Sequence, residues 1–269
     1  MIARILFATI IVYIFVVAFV YITQRYLQYY PIKKYTGDPK QNGVPVMEEI
    51  QLQAEDGQEL YAWFAEPKEK EGKIFIIYHG NAGTLAGRAD KARQLIALGY
   101  GVYMCEYRGY GGIKGKITEE NLYKDGRAAV KFLADKGYNI SQLVLYGESI
   151  GSGIATQMAK EFNTKYMVLE GGFSSAMAVG RKVYPYLPVD LMLKDRYDNI
   201  SKIKDIKVSL LMIHGKRDNI VDIDIAKELY EVANHPKEFI EFDNAGHVDL
   251  FSHGAAKIID GWLKGQDTE

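Results

Sequence analysis

The 269-residue sequence predicts an α/β fold, in which a mainly parallel sheet carries helices on both faces. Short apolar runs rich in β-branched residues alternate with longer segments of helical periodicity, which is typical of βαβ units. Polar, glycine-containing loops follow several of these runs, where the sites of open parallel sheets form. An apolar content of 48% and a charged content of 25% are those of an ordinary globular protein.

The strands and helices can be assigned in order along the chain. A hairpin comes first, because Asp56-Gly57 separates the strand candidates Val46–Gln53 and Glu59–Phe64. Later strand candidates cover residues 74–78, 101–107, 142–146, 166–170, 208–213 and 238–242, and helical patterns cover 84–98, 119–136 and 150–162. Residues 171–207 contain no strand candidate and are rich in Tyr, Met, Leu and Pro. We expect this insert to form a lid; the alternative is a helix that covers the sheet edge.

One serine lies in a strongly patterned turn. The segment Gly147-Glu148-Ser149-Ile150-Gly151 reads G-x-S-x-G, directly after an apolar strand candidate and directly before a helical pattern. Such a turn holds the serine in a strained backbone conformation and exposes its hydroxyl, while the glycines avoid clashes with the neighbouring strand and helix. We interpret Ser149 as a candidate nucleophile. The alternative is a glycine-rich turn with an incidental serine.

A nucleophilic serine needs a base and an acid that orients the base. Asp218 follows the strand candidate 208–213, and His247 follows the strand candidate 238–242. The chain order is therefore nucleophile, acid, histidine, and all three residues lie just past strand ends. We predict a Ser149, Asp218 and His247 triad.

Both partners of the serine have alternatives. Asp218 could instead cap the helix that begins near residue 223, a role also open to Asp222 or Asp224. His253, expected on the final helix, is the second candidate for the base after His247.

An oxyanion hole needs two backbone N–H groups that point at the developing negative charge. The residue after the nucleophile, Ile150, is expected to supply one. Asn81 is expected to supply the other, with Ala82 as the alternative, because the apolar run 74–78 ends in His-Gly-Asn-Ala-Gly. A phosphate-binding loop is the competing interpretation, but neither glycine-rich phosphate motif follows this strand.

These motifs resemble those of the alpha/beta-hydrolase superfamily over roughly residues 46–265. The resemblance lies in HGNAG, GESIGSG, HGKRD and AGH, and it implies the catalytic roles assigned above without a cofactor or metal. Tyr184-Pro185-Tyr186-Leu187-Pro188, continuing to residues 195–198, resembles a narrower group of small membrane-anchored hydrolases. Relatives of that group include protein depalmitoylases and lysophospholipase-like enzymes.

The N-terminus predicts a membrane anchor. The run from Ile5 to Ile22 contains no charged residue and, at ~1.5 Å per residue, spans roughly 27 Å of the ~30 Å hydrocarbon core. A secretory signal peptide is the competitor, but no small-residue cleavage site ends the run. We expect residues 1–30 to be an uncleaved anchor, 31–45 a linker and 46–269 the hydrolase domain. Flanking charges favour neither orientation strongly, and we expect the domain on the extracytoplasmic or lumenal side.

The composition and the insert narrow the function. A net charge of −1 gives no reason to expect nucleic-acid binding. The apolar insert would suit an acyl chain, with Tyr184, Leu187 and Met192 as candidate contacts. We therefore expect a serine hydrolase that cleaves carboxylic esters or thioesters of lipid-like or acylated substrates. The alternatives are a serine peptidase with the same triad and a non-catalytic scaffold.

Three other residues carry weaker expectations. Cys105 lies in a strand candidate and is expected to be a small core residue. Arg108 is expected in a tight loop under the site, bonded to nearby carbonyls or to Glu106, and the alternative is a substrate-binding arginine. A dehalogenase or an epoxide hydrolase would be expected to have aspartate in place of Ser149.

Overall fold

A computed structural model describes residues 1–266. Its strands are β1 (Tyr30–Pro31), β2 (Glu48–Gln53), β3 (Glu59–Ala65), β4 (Ile74–Tyr78), β5 (Ala82–Gly83), β6 (Gly101–Cys105), β7 (Leu143–Glu148), β8 (Tyr166–Glu170), β9 (Ser209–Gly215) and β10 (Lys237–Phe242). Its α-helices are α1 (Ile2–Gln28), α2 (Ala89–Ala97), α3 (Glu119–Asp135), α4 (Gly151–Phe162), α5 (Ala176–Val183), α6 (Val189–Met192), α7 (Asn199–Ile203), α8 (Ile223–Val232) and α9 (Ala255–Gln266).

Eight strands form one sheet in the order β10-β9-β8-β7-β4-β6-β3-β2. The predicted hairpin is present as β2 and β3, which pair antiparallel, and β3 also pairs antiparallel with β6. Every other pairing in this sheet is parallel, which brings the carboxyl ends of the central strands to one edge. The predicted α/β fold with a mainly parallel sheet is confirmed.

Helices cover both faces of the sheet and enclose two apolar cores. One core packs α3, α4 and α8 against the sheet through residues such as Leu122, Ile154 and Leu229. The other packs α2 and α9 against the opposite face through Leu95 and Ile259. The central strands are buried on both faces, as expected for parallel strands between helix layers. Cys105 is buried in this interior, as predicted.

Local sequence accounts for the start of α3. The Thr118 hydroxyl caps the helix by accepting a hydrogen bond from the Asn121 N–H at 3.1 Å. Two glutamates then occupy the first turn, where negative charge stabilises the helix dipole.

The N-terminal helix α1 is longer than the apolar run that predicted it. Its most apolar stretch has a mean hydropathy of 2.9 and is not buried against the domain. At ~1.5 Å per residue α1 measures roughly 40 Å, enough to cross a membrane, although a signal sequence would meet the same criterion. The last turn is different, because Gln24 is buried.

The segment predicted as a linker is packed against the domain. Residues 30–31 form β1, which pairs in parallel with β5, and Val44 is buried. The insert at 171–207 contains the short helices α5, α6 and α7 and no strand.

Two expectations about individual residues were wrong. Arg108 does not bond to Glu106; its guanidinium pairs with Asp125 at 2.7 Å and with Asp56 at 2.8 Å. His253 is not on the final helix, because it ends a 3-10 turn at Leu250–His253 before α9 begins.

Candidate active site

Ser149 lies in the turn between β7 and α4 with a φ of +52°. This left-handed conformation is unfavourable for a residue with a side chain and occurs mostly at functional turns. The two glycines of the motif have the steric roles expected of them. A Cβ on Gly151 would overlap the Tyr78 carbonyl oxygen of β4, and one on Gly147 would lie 2.6 Å from the Cα of Ser152. The close contact of strand, turn and helix therefore forces the strained serine.

Asp218 and His247 form a hydrogen-bonded pair. The distance from His247 Nδ1 to Asp218 Oδ2 is 2.7 Å, and the aspartate side chain is almost fully buried. Asp218 Oδ1 accepts hydrogen bonds from the N–H groups of Ile220 and Val221 at 2.8 and 3.0 Å. Burial opposes ionisation of Asp218, but His247 and these two N–H groups together lower its pKa below its ordinary value.

Asp218 does not cap α8. Asp222 has that role, since its side chain accepts a hydrogen bond from the Asp224 N–H at 2.9 Å. The alternative base, His253, is exposed and its Nε2 lies 3.5 Å from Asp249 Oδ2. Within the described residues, it has no contact with Asp218.

The strand end of β8 joins the serine to the acid and base. The Ser149 N–H donates to the Glu170 carbonyl at 2.9 Å. The next residue, Gly171, has a φ of +55°, and a Cβ there would lie 3.1 Å from His247 Cε1. Residues 170–171 therefore lie next to both Ser149 and the Asp218–His247 pair. The three predicted residues converge at the carboxyl edge of the sheet.

His214, at the end of β9, is a buried second histidine beside Asp218. Its Nε2 lies 3.0 Å from the Val221 carbonyl oxygen and 3.3 Å from Asp218 Oδ2. Burial lowers the pKa of His214, so its ring is neutral at physiological pH. A neutral ring with its proton on Nε2 can donate to the Val221 carbonyl and stabilise the loop that carries Asp218. Sequence analysis did not connect His214 with the acid.

The two predicted oxyanion donors lie at loop positions beside the serine. In the described part of the chain, neither the Asn81 nor the Ile150 backbone N–H donates to another backbone group. A Cβ on Gly80 would lie 3.4 Å from the Ser149 Cβ, which brings the loop before Asn81 against the nucleophile. The Gly80 N–H is held by Glu148 Oε1 at 3.1 Å.

A buried ionic network lies behind this loop and was missed by sequence analysis. The Glu148 carboxylate accepts from Arg88 Nη2 at 2.5 Å and from Lys91 Nζ at 2.8 Å. Lys91 also bonds to Glu170, which in turn accepts from the Tyr146 hydroxyl. Burial disfavours the charged form of Glu148, but Lys91 and Arg88 lower its pKa well below its ordinary value. Glu148 directly precedes Ser149 and accepts a hydrogen bond from the Gly80 N–H. The network therefore connects the turn at Ser149 to the loop before Asn81.

A signal for this network exists in the sequence. Glu148 is the residue before the serine, and Arg88 and Lys91 have a spacing of three, which places both on one face near the start of α2. Only the fold brings that face to β7.

The insert contributes less to the site than expected. Met192 is buried, and its carbonyl oxygen accepts from Gln24 of α1 at 3.0 Å. Tyr184 and Leu187 are half-buried, and in the described chain neither forms a hydrogen bond or ring contact with the serine, acid or histidine. The insert reaches the acid through α5, because Val179 and Val183 line a cleft of about 140 Å³ beside Asp218. Among residues 1–266, no group of three or more His, Cys, Asp or Glu side chains is arranged to hold a metal.

The chain is similar to known proteins over most of its length. The chain is 32% identical over 237 residues to an uncharacterized protein of Mycobacterium tuberculosis, covering 87% of this chain and 84% of that protein. It is also 30% identical over 188 residues to the human alpha/beta hydrolase domain-containing protein 17B, covering 66% of this chain and 62% of that protein. The chain belongs to the alpha/beta-hydrolase superfamily.

Two further comparisons concern a family of enzymes and a solved structure. The family described as serine aminopeptidase S33 matches residues 69–194, a range that includes Ser149 and ends before Asp218. An esterase of Pyrococcus furiosus has a similar fold, with a TM-score of 0.70 and 21% identity, covering 88% of this chain and 97% of the esterase. At that identity the likeness concerns the fold alone.

Proposed function

We propose that this protein is a membrane-anchored serine hydrolase that cleaves ester or thioester bonds of lipid-like or acylated substrates. The observation that carries the proposal is the Asp218–His247 pair beside the strained turn of Ser149. A nucleophilic serine requires this arrangement of base and orienting acid, and the fold brings it to the sheet edge.

The proposed chemistry has two halves. His247 Nε2 accepts the Ser149 hydroxyl proton as the oxygen attacks the acyl carbonyl, and the N–H groups of Asn81 and Ile150 stabilise the oxyanion. The leaving alcohol or thiol takes the proton from His247 and departs, which leaves an acyl-serine. Water then attacks after giving a proton to His247, and the acid is released as Ser149 regains its proton. Asp218 holds the ring and stabilises its charged form.

Exposed apolar side chains around the site support a lipid-like substrate. Ile220 follows Asp218 by two residues and Val248 directly follows His247, and both are mostly exposed. Tyr186 and Leu191 of the insert are also exposed. An apolar surface at the mouth of a site, next to an apolar helix, is typical of contact with a membrane.

The position of the insert supports the same membrane contact. The Tyr13 hydroxyl, in the middle of α1, donates to the Tyr186 carbonyl at 2.9 Å. If α1 spans a bilayer, Tyr186 lies beside the span and within reach of lipid. The cleft beside Asp218, about 140 Å³, is smaller than the ~300–1,000 Å³ typical of sites that enclose a small molecule. A long acyl chain would therefore lie on the exposed apolar surface or displace α5.

An aminopeptidase is the second candidate, because the matching family is described as serine aminopeptidase. Both reactions use the same triad and oxyanion donors, so the substrate decides between them. Hydrolysis of aminoacyl amides in preference to acyl esters would favour the peptidase.

A fluorophosphonate probe tests the proposed nucleophile. Detergent-solubilised full-length protein should be labelled, and Ser149→Ala should abolish labelling. His247→Ala should lower turnover of acyl esters by roughly four to six orders of magnitude, as losses of single triad residues do in other serine hydrolases. His253→Ala is the matched control and should retain turnover. Short esters, long esters, a thioester and an aminoacyl amide are then compared to assign the substrate.

Three results would contradict the proposal. Labelling that persists in Ser149→Ala would exclude this serine as the nucleophile. Inactivation by His253→Ala in place of His247→Ala would exclude the assigned base. Folded wild-type protein with neither labelling nor turnover would favour a non-catalytic scaffold.

A further inference from the structure

The segment that follows the apolar part of α1 is built into the loop that carries Asn81. We call residues 24–31 the juxtamembrane segment; it contains the last turn of α1 and β1. Tyr30 and Pro31 of β1 pair in parallel with Ala82 and Gly83 of β5. The residues directly after Asn81 are therefore paired with the chain that leaves the proposed membrane anchor.

The Asn81 side chain binds the juxtamembrane segment both as a hydrogen-bond donor and as an acceptor. Its Nδ2 donates to the Gln28 carbonyl at 2.5 Å, and its Oδ1 accepts from the Tyr30 N–H at 3.2 Å. The same Oδ1 accepts from the Tyr110 hydroxyl at 3.0 Å, which connects this contact to the domain. The amide thus acts as a bridge between the juxtamembrane backbone and the domain.

The other side of the segment is fastened to the insert. Arg25 pairs with Asp195 through two hydrogen bonds of 2.7 and 3.0 Å. The Gln24 side chain donates to the Met192 carbonyl and accepts from the Lys194 N–H at 2.7 Å.

A buried contact completes the attachment. The Tyr29 and Tyr197 hydroxyls lie 2.8 Å apart, and both side chains are buried. Gln28 Nε2 also donates to the Asp195 carbonyl at 2.8 Å. Four residues of the juxtamembrane segment therefore contact the insert within six positions of the chain, and the segment cannot shift without disturbing the loop at Asn81.

We propose that the juxtamembrane segment positions the oxyanion loop, so that residues 24–31 set the catalytic rate as well as connecting the domain to its anchor. The inference rests on the proposed function, in which the Asn81 backbone N–H is an oxyanion donor. A donor must lie within about 0.3 Å of its working distance, and misplacing catalytic groups by ~1 Å can cost about a hundredfold in rate. The Glu148 carboxylate fixes Gly80 from the core side, and the juxtamembrane segment fixes Asn81 from the other.

Tyr30 offers a substitution that weakens the pairing of the juxtamembrane segment with the loop at Asn81. Tyr30→Pro deletes the N–H that donates to Asn81, and the extended backbone of Tyr29, with φ −116° and ψ 130°, is compatible with a following proline. Tyr30→Ala is the matched control, because it keeps the N–H and removes only an exposed side chain. Both variants are made in the full chain and measured in the same detergent.

The expected result is a selective loss of rate. Tyr30→Pro should lower kcat for a short soluble ester between about tenfold and a hundredfold, with KM within about twofold of wild type and the same thermal midpoint. Tyr30→Ala should keep kcat near the wild-type value. Amide hydrogen exchange at residues 80–83 should rise in Tyr30→Pro only. If the Tyr30 contact served stability alone, Tyr30→Pro would lower the thermal midpoint and would not lower kcat selectively while KM stayed unchanged.

Coupling to Asn81 provides the second measurement. In an Asn81→Ala background the side-chain acceptor of the Tyr30 N–H is gone, so Tyr30→Pro should lower kcat less than it does in the wild-type background. Equal losses in both backgrounds would overturn the assigned route. If Tyr30→Pro unfolds, Arg25→Gln replaces it as the test variant. This substitution weakens the contact with Asp195, and glutamine is well tolerated in a helix. The expected result is a several-fold lower kcat with an unchanged KM.

The outcomes separate this inference from the proposed function. Active wild-type protein with equal kcat in Tyr30→Pro and Tyr30→Ala overturns the positioning role and leaves the proposed function intact. Increased amide hydrogen exchange at residues 80–83 without a change of kcat would also overturn the positioning role and leave the proposed function intact. Wild-type protein with neither labelling nor turnover would remove the proposed function and this inference together.

Discussion

The turn at Ser149 depends on two glycines that admit close backbone contacts. Gly151 lies so near the Tyr78 carbonyl of β4 that no side chain fits, and Gly147 faces the first turn of α4. The G-x-S-x-G pattern predicts this packing from sequence alone, since its spacing joins a strand directly to a helix. The strained conformation of Ser149 is then a consequence of how closely the two elements approach.

Gly151→Ala should destabilise the fold strongly. The added methyl group would meet the backbone of β4, which cannot move aside, so we expect a loss of about 3 kcal/mol or more in the free energy of unfolding. Gly261→Ala is the matched control, because Gly261 is an exposed residue of α9 with nothing within 4 Å of the added methyl. It should stabilise by about 0.5–1 kcal/mol through helix propensity. Denaturant titration in mild detergent measures both; similar stabilities of the two variants would contradict the steric argument.

At the scale of elements, the buried ionic network joins α2 to β7 and β8. Lys91 of α2 pairs with Glu148 and Glu170, which end neighbouring strands. These contacts hold the loop before Asn81 and the turn before Ser149 in one arrangement. Removing one member of a buried pair leaves an uncompensated charge, which costs far more than the loss of a surface pair.

Glu148→Gln should destabilise in a pH-dependent manner. The folded pKa of Glu148 lies well below its ordinary value of 4.5, so its stabilising contribution is complete above that pH and is lost as pH falls through the folded pKa. We expect a loss of about 3–5 kcal/mol at pH 7 relative to wild type, with a smaller difference well below pH 4.5.

Glu161→Gln is the matched control for this charge. Glu161 pairs with Arg127 on the surface at 2.7 Å and its pKa is also lowered, although burial opposes the effect of Arg127. Its loss should cost less than about 1 kcal/mol because water screens the pair. Denaturant titrations at pH 7 and in acid compare the two variants. A penalty for Glu148→Gln that does not shrink in acid would show that the charge is not its source.

At the scale of the whole molecule, the chain that leaves the apolar helix contacts the loop at Asn81, and exposed apolar side chains occur in the insert and next to His247. Leu191 is 86% exposed and Val248 is 66% exposed, and Tyr186 contacts α1 through its carbonyl. Such exposure is costly in water and favourable against lipid. The proposed membrane orientation would present the site to substrates within the bilayer surface.

Leu191→Ser should weaken action on membrane substrates alone. Burying a large apolar side chain contributes about 1.5–3 kcal/mol, so KM for a long-chain ester in phospholipid vesicles should rise roughly tenfold or more. Turnover of a short soluble ester should not change. Val232→Ser is the matched control, because Val232 is exposed at the end of α8, away from the edge where the strands end. Equal KM values for Leu191→Ser and wild type on vesicles would argue against this membrane contact.

Much of the architecture follows from local patterns in the sequence. The alternation of apolar runs and helical segments predicts the parallel sheet, and Asp56-Gly57 predicts the β2–β3 hairpin. The positions of Ser149, Asp218 and His247 past strand ends predict that they meet, since parallel strands end at one edge. Their catalytic roles stay a prediction. The apolar N-terminal helix is equally evident from its composition.

What the sequence by itself determined is therefore what periodicity, turn chemistry and chain order encode: the fold class, the strained serine turn and the apolar helix. The tertiary structure alone decided the long-range partners. Arg25 and Asp195 are 170 residues apart, and Lys91 and Glu170 are 79 apart. It also placed residues 30–31, at the junction of the expected anchor and linker, in a strand that pairs with the residues after Asn81. The physical reason is that the type of a charged or amide side chain does not specify which distant residue it will contact. Only the path of the folded chain brings the two partners within hydrogen-bonding distance.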